Sequence, residues 1–262
     1  IKIYNNDKKA ITGDWIKLEK FDPKSNYSDK NFSKFEDHKY GKLGDVNISF
    51  LLGSHTVTTK ASTGRNKLSG LLYGLKIEGE TWITRNYFVS GEFSKKIGSV
   101  EKSSGSPSSD SSSQGPSTLK ILGGFKYLPM GYFYGPQVSF YGGWGKYSYS
   151  LDESSTDGFG ENDISGIILG VGGNIPLKKG LRLYASGEIM PFADFNDEDN
   201  VFGGSKSISS TALDIGVIYY WSPAMKLTAG IDIISNAMRF SGANSELKYS
   251  ETNFNAGAQF SF

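Results

Sequence analysis

Several residue types that mark common protein classes are scarce or missing in this sequence. It has no cysteine, two histidines and 8 prolines among 262 residues. Without cysteine there is no disulfide framework and no thiol chemistry, and two histidines alone offer too few ligands for a typical zinc site. The formal net charge of +1 argues against nucleic-acid binding, which depends on a strongly basic surface.

Long apolar runs are missing as well. A transmembrane helix needs about 18 or more consecutive apolar residues, and the runs here are only a few residues long. The mean hydropathy is −0.35, although aromatic residues make up 14% of the chain. The chain is therefore either soluble or crosses a bilayer as a β-barrel, whose strands carry their hydrophobicity in alternation.

Alternation of apolar with polar or small residues runs through most of the chain from about residue 45. In the last segment Phe254, Ala256, Ala258, Phe260 and Phe262 fall on one face. Successive strand side chains point to opposite faces, so this segment has one apolar and one polar wall. Ten strands are predicted in this way, at about 45–60, 66–79, 81–100, 117–128, 132–150, 162–175, 180–193, 207–221, 224–240 and 246–262.

The connections between these strands alternate in length. Short turns are predicted at 79–80, 128–131, 176–180 and 221–224. Mostly longer, polar loops are predicted at 103–117, 152–163, 194–206 and 241–246, with a short exception at 61–65. This pattern predicts an all-β fold, a transmembrane antiparallel up-and-down β-barrel of about 10 strands. Because the strands exceed the about 9–11 residues needed to cross a bilayer, we expect them to project beyond the membrane.

The C-terminal strand, with Phe254, Phe260 and Phe262 in register, resembles the signal that the bacterial barrel-assembly machinery reads. Together with the nine preceding strands, residues 45–262 resemble small outer-membrane β-barrels of Gram-negative bacteria. The resemblance implies an outer-membrane location, contact with membrane lipid and lipopolysaccharide, and passage through the barrel-assembly machinery. Ile1 opens directly on polar sequence, so an exported chain would have lost its signal peptide.

Residues 1–44 differ from the rest. Their opening at 3–9 (IYNNDKK) resembles general trimeric porins, which are longer and have sixteen strands, so a wide pore is not expected. An even strand count is already met after residue 44. We therefore predict that residues 1–44 form a periplasmic extension or lumen plug, which would contact any periplasmic or envelope partner. Twelve strands, two of them from this region, is the alternative.

No catalytic constellation is predicted. The histidines His38 and His55 lack an accompanying Asp-x-His or Gly-x-Ser-x-Gly pattern, so we expect no enzyme, no cofactor and no metal. The acidic stretches at 152–153 and 194–199 offer carboxylates for Ca²⁺ but lack EF-hand spacing, and they are interpreted as solvated loops. Residues 103–118, rich in Ser, Gly and Pro, are expected to form a flexible outer loop.

Ten charged residues are predicted to face the lumen, five basic and five acidic: Lys76, Glu78, Glu92, Lys96, Lys120, Lys126, Arg182, Glu188, Asp214 and Asp232. Such a balanced set predicts ion pairs across the lumen rather than a filter of one sign. Three functions remain open: a structural or interaction barrel, a narrow porin-like channel for ions or small solutes, and a barrel enzyme. A soluble β-protein is a fourth possibility, against which the terminal Phe262 and the loop pattern argue.

Overall fold

The computed structural model describes residues 3–4, 10–12, 43–61, 64–84, 86–102, 111–130, 135–151, 159–177, 180–197, 201–222 and 224–262. Its strands, in chain order, are β1 (Ile3–Tyr4), β2 (Ala10–Thr12), β3 (Gly44–Ala61), β4 (Gly64–Trp82), β5 (Tyr87–Lys102), β6 (Ser111–Gln114), β7 (Ser117–Tyr127), β8 (Gln137–Tyr149), β9 (Asn162–Pro176), β10 (Leu181–Asp197), β11 (Ser205–Tyr220), β12 (Met225–Phe240) and β13 (Glu246–Ser261). No helix in these ranges is long and apolar enough to cross a membrane.

The ten long strands form a closed antiparallel barrel. Each pairs with the next long strand along the chain, and β13 pairs back with β3, from Glu246 opposite Lys60 to Ser261 opposite Asp45. The predicted up-and-down barrel of 10 strands is confirmed, and its strands lie close to the predicted segments. Strands β1 and β2 pair with each other in a separate sheet, so they do not raise the barrel to twelve. Most of residues 1–44 lie outside the described residues, and their predicted role is untested.

The two ends of the barrel differ. One end, here the turn end, holds the start of β3, the end of β13 and the connections 83–86, 128–136, 177–180 and 221–224. The opposite end, the loop end, holds the connections 62–63, 103–116, 150–161, 198–204 and 241–245. The connection between β5 and β7 contains β6, which pairs with Gly98 to Glu101 near the loopward end of β5. The unusually short connection predicted near 61–65 is present, since Ala61 pairs with Gly64.

Two strand boundaries differ from prediction. The turn predicted at 79–80 is wrong, because Gly79 pairs with both Val46 and Gly91 inside β4. The chain reverses instead at 83–86, where the Thr84 hydroxyl accepts hydrogen bonds from the backbone N–H groups of Asn86 and Tyr87 at 3.2 and 3.1 Å. Strand β8 begins at Gln137 rather than near residue 132.

An apolar belt surrounds the turnward part of the barrel. On β13 it extends from Phe254, which is 61% exposed, to Phe262, a span that fits the about 9–11 residues needed to cross a bilayer at a tilt. The corresponding part of β11 begins at Leu213, and the belt ends at Trp221, just after the strand. Loopward of the belt the outward residues are polar, as at Lys248 and Ser250 of β13, so the strands continue by about as many residues beyond it.

One stretch of the wall is unpaired among the described residues. Strands β10 and β11 are in register from Leu181 opposite Tyr219 to Ile189 opposite Thr211, and no pairing is present loopward of that point. The pairing of β10 with its other neighbour, β9, shifts between Ile189 and Phe192, a segment that includes Pro191. Proline has no N–H to donate and favours such irregularities. The separation of β10 from β11 begins at this segment, whereas β10 pairs with β9 again from Phe192.

Candidate functional site: the barrel interior

All ten charged side chains predicted to face the lumen lie on the inner face of the barrel. They occur at alternate positions to the exposed apolar residues of the same strands, as Lys76 does between the exposed Leu75 and Ile77. Period-two alternation places successive side chains on opposite faces. The charges form separate clusters at different heights between the two ends.

The first cluster surrounds Lys76 near the middle of the belt. Its Nζ lies 3.3 Å from Oδ2 of Asp232, 3.2 Å from Oε1 of Glu78 and 3.9 Å from Oδ2 of Asp214. Asn47 donates a hydrogen bond of 2.9 Å to the other oxygen of Glu78. One ammonium thus contacts three carboxyl groups, from β4, β11 and β12.

The second cluster surrounds Lys120 on the opposite wall. Its Nζ lies 2.8 Å from Oε2 of Glu188 and 3.1 Å from Oε2 of Glu92. The Tyr141 hydroxyl donates to the second oxygen of Glu188 at 3.3 Å. These contacts join β5, β7, β8 and β10 across the interior.

Further pairs lie near the turn end, some of them at residues that the sequence analysis did not select. Lys126 is paired with Glu80, and its Nζ lies 5.0 Å from the ring centroid of Phe88. Lys226 contacts Asp45 at 2.8 Å. Arg182 donates through Nε to Asn174 at 2.7 Å and through Nη2 to the carbonyl oxygen of Gly135 at 2.8 Å.

A cavity of about 320 Å³ lies among these clusters. It extends from the turn end, where Glu80 and Gln137 line it, to the level of Lys96 in the barrel interior. Its wall combines charged and polar side chains with apolar ones such as Leu51 and Phe88, and its volume is at the lower end of the range for small-molecule sites. The interior is therefore open in its turnward half, although a barrel of ten strands is close to the size that side chains can fill.

A buried polar cluster closes the loopward end of this cavity. Lys96 contacts Glu251, and Nδ1 of His55 lies 3.4 Å from the other oxygen of Glu251. The three residues are only 1–2% exposed. The side-chain amide of Gln114, on β6, lies 2.9 Å from Nε2 of His55. With the amide N–H as donor, the ring proton is on Nδ1 and faces the carboxylate.

Two stacked tyrosines lie beside this cluster. The rings of Tyr149 and Tyr249 are parallel within 3°, with centroids 3.6 Å apart. Each hydroxyl accepts a hydrogen bond of 2.6 Å, from Asn236 and Asn162 respectively. Both tyrosines are buried, so their polar ends are satisfied and their rings fill the barrel cross-section.

Apolar side chains then fill the interior as far as the loop end. We call this group the apolar seal; its buried members include Val57, Leu68, Val100, Leu151, Phe159, Ile164, Phe202, Met238, Phe240 and Leu247. Phe202 enters from the connection between β10 and β11, and its ring lies 4.7 Å from that of Phe240. The described residues thus separate the cavity from the loop end with a packed core.

In the seal the apolar residues lie on the inward face of the strands, whereas in the belt they lie on the outward face. This change of phase was not predicted from the sequence. On β13 the apolar residues Leu247 and Tyr249 point inward, whereas Phe254 and Phe260 point outward. The pairing of β13 with both neighbours has no bulge, so the apolar residues move from odd to even positions in an otherwise regular strand. That change of parity is visible in the sequence and marks where each strand leaves the belt.

The other predicted features fall partly outside the described residues. The parts of the chain outside the described residues include His38, residues 103–110, 152–158 and 198–200, and most of the N-terminal region. Of the acidic stretch at 194–199, Asp197 accepts a hydrogen bond of 2.7 Å from the backbone N–H of Phe202. Phe254, Phe260 and Phe262 lie exposed in the belt, and their role as an assembly signal stays a prediction.

Comparison with known proteins identifies the fold but not a family. No family model matches the chain, and no curated protein matches it in sequence. The chain is similar to the outer membrane protease OmpT from Escherichia coli, with a TM-score of 0.56 and 12% identity over 84% of this chain and 97% of that one. The translocator domain of the autotransporter NalP from Neisseria meningitidis matches at a TM-score of 0.45 and 12% identity, over 91% of this chain and 99% of that one. The protein has the fold of the β-barrel proteins of the Gram-negative outer membrane.

Proposed function

We propose that the protein is a closed outer-membrane barrel with a structural or interaction role: it anchors in the membrane and presents its loop end to partners, without conducting solutes and without catalysis. The observation that carries this proposal is the apolar seal. A cavity that ends beneath a packed apolar core offers hydrated ions no continuous path, because moving an ion through an apolar layer costs many kcal/mol.

The outward face supports the anchoring part of the proposal. A belt of exposed apolar residues of bilayer height is followed by a polar surface over the rest of each strand. In water such a belt would be an aggregation liability, whereas in lipid it is the surface expected of a transmembrane barrel. Both ends of the barrel sheet lie at the turn end, which we assign to the periplasm, so the loop end would face outward.

The position of His55 supports the absence of catalysis. Its ring is buried between Glu251, Gln114 and the stacked tyrosines, and it does not line the cavity. A general base must come within hydrogen-bond reach of a substrate proton, and this packing leaves no space for a substrate beside the imidazole. The similarity to a protease, at 12% identity, concerns the fold only.

The cavity favours a second candidate, a gated channel for ions or small solutes. Its charged clusters would line the inner half of such a path, and the seal would have to move to complete it. The two candidates differ in one measurable property, because only the channel produces discrete openings in a bilayer.

Single-channel recording in a planar bilayer tests the proposal. The full-length protein is expected to give no steady openings. A triple variant, Val57→Ser, Met238→Ser and Leu247→Ser, is expected to conduct because it replaces part of the seal with hydroxyls and space. Variants are first checked for heat-modifiable migration, which shows that the barrel is folded. Steady openings of the unmodified protein would refute the closed state and support the channel.

A further inference from the structure

A basic surface covers one sector of the outer wall, loopward of the apolar belt. It is formed by four neighbouring strands, β12, β13, β3 and β4, and consists of Lys60, Arg65, Lys67, Arg239 and Lys248. All five side chains are exposed, and Arg239 is 73% exposed. The acidic residue among them, Glu246, lies 3.9 Å from Arg239, so the sector keeps a net charge of about +4 when these six groups are ionised.

The pairing register brings these residues together. Lys60 lies opposite both Glu246 and Arg65. In the adjacent row Thr58 lies opposite both Lys248 and Lys67. Neighbouring strands are about 4.8 Å apart, so the five cations lie within a few strand widths of each other, although they are far apart in sequence.

The opposite sector has the other sign. Asp163 and Asp194, on β9 and β10, and Glu161, just before β9, lie at the same end of the barrel. The cation beside them, Lys146, lies 2.7 Å from Asp163. The described outer surface is therefore polarised across the barrel, and the basic sector is not a general property of the loop end.

The height of the basic surface above the belt indicates what it can reach. Lys67 is four residues from Leu71, the last exposed apolar residue of β4. At about 3.3 Å per residue and a tilt of about 45°, Lys67 lies about 9 Å above the apolar edge. Flexible lysine side chains can extend toward that edge, which places their charge at the level of lipid head groups.

The strip between the belt and the cations is rich in hydroxyl groups. Thr56 and Ser69 lie side by side there, with their hydroxyl oxygens 3.3 Å apart, and the strip continues with Ser54 on β3 and with Ser250 and Thr252 on β13. Hydroxyls and cations together match a head group that combines sugar hydroxyls with phosphates, because each group then has a complementary partner.

We propose that this basic surface, formed by Lys60, Arg65, Lys67, Arg239 and Lys248, binds the phosphorylated sugar head group of lipid A in the outer leaflet. The inference rests on the proposed outer-membrane placement, with the loop end facing outward. The lipid would occupy the sector of β12, β13, β3 and β4, with its acyl chains along the belt and its phosphates at the cations.

Binding of diphosphoryl lipid A to the detergent-solubilised full chain, measured with EDTA present to remove divalent bridging, tests this proposal. The variant Lys67→Gln and Lys248→Gln is expected to bind about thirtyfold more weakly, given the usual contribution of about 1 kcal/mol from each cation near an anionic surface. The matched control, Lys95→Gln and Lys146→Gln, removes the same charge from strands β5 and β8, outside the basic surface, and is expected to change Kd by less than about threefold. The unmodified protein should likewise bind dephosphorylated lipid A about a hundredfold more weakly.

Equal losses in the two double variants would attribute binding to overall charge and overturn the proposal. Equal affinity of the unmodified protein for phosphorylated and dephosphorylated lipid A would overturn it as well. Heat-modifiable migration confirms that each variant is folded. Vesicle flotation separates the two levels of inference: a chain that does not enter lipid refutes the outer-membrane placement, whereas a chain that enters lipid without lipid A selectivity refutes the basic site alone.

Discussion

The buried contact between Lys96 and Glu251 gives a quantitative prediction about what holds the middle of the barrel together. Lys96 is 1% exposed and Glu251 is 2% exposed, and they connect β5 to β13 across the interior. Replacing Glu251 with Gln keeps the shape of the side chain but leaves the ammonium of Lys96 without the carboxylate it contacts. Breaking one partner of a buried pair costs about 3–5 kcal/mol, and we expect about 3 kcal/mol because the amide oxygen can still accept a hydrogen bond.

Urea unfolding of the protein in lipid vesicles, followed by tryptophan emission, measures this change in the free energy of unfolding. The control is Asp163→Asn, which breaks the more exposed pair with Lys146 at 2.7 Å and is expected to cost about 0–1 kcal/mol. The double variant Lys96→Met, Glu251→Gln removes both charges and should recover most of the loss, since an apolar replacement of a buried pair is often neutral. The reasoning fails if Glu251→Gln is no more harmful than Asp163→Asn, or if the double variant is less stable than Glu251→Gln.

Two further predictions concern packing and assembly. Gly53→Ala is expected to lower the free energy of unfolding by about 1–3 kcal/mol, because the added methyl group would collide with the backbone oxygen of Thr252. The control is Gly187→Ala, where no atom lies within 4 Å of the new carbon. It should change the free energy of unfolding by less than about 0.5 kcal/mol in the same assay. Phe262→Ala is expected to reduce the amount of heat-modifiable barrel recovered from cell membranes. Phe140→Ala, the control, should not reduce it, since Phe140 occupies a similarly exposed belt position (55% against 53% for Phe262). Equal losses from both variants would remove the case for a C-terminal assembly signal.

The strands were predictable because one physical condition acts on every one of them. Lipid-facing positions must be apolar along the belt, so the alternation from Phe254 to Phe262 is visible without knowledge of the partners. Where that condition does not apply, prediction is weaker: the sequence pattern predicts a turn at Gly79, which lies inside β4 between two neighbouring strands. Glycine in a strand does not distinguish a turn from a close backbone approach.

The interior was predictable in composition but not in geometry. The sequence indicates which charges face inward, yet the pairing of Lys76 with Asp232, 156 residues away in sequence, depends on how the closed barrel brings opposite strands together. Glu251 was not among the predicted lumen-facing charges, although the inward-facing odd positions of β13 continue through it without a bulge. Its inward apolar neighbours, Leu247 and Tyr249, belong to the seal rather than to the belt.

The change of phase along the strands also has a consequence for how the protein responds to its lipid. Movement outward would expose Phe254 and its neighbours to water, and movement inward would bring Lys248 and Lys67 toward hydrocarbon, at a cost that rises with depth. Because both displacements are unfavourable, the barrel has one preferred depth in the bilayer. In a membrane of a different thickness we therefore expect the lipid around the barrel to compress or stretch, while the barrel keeps its vertical position.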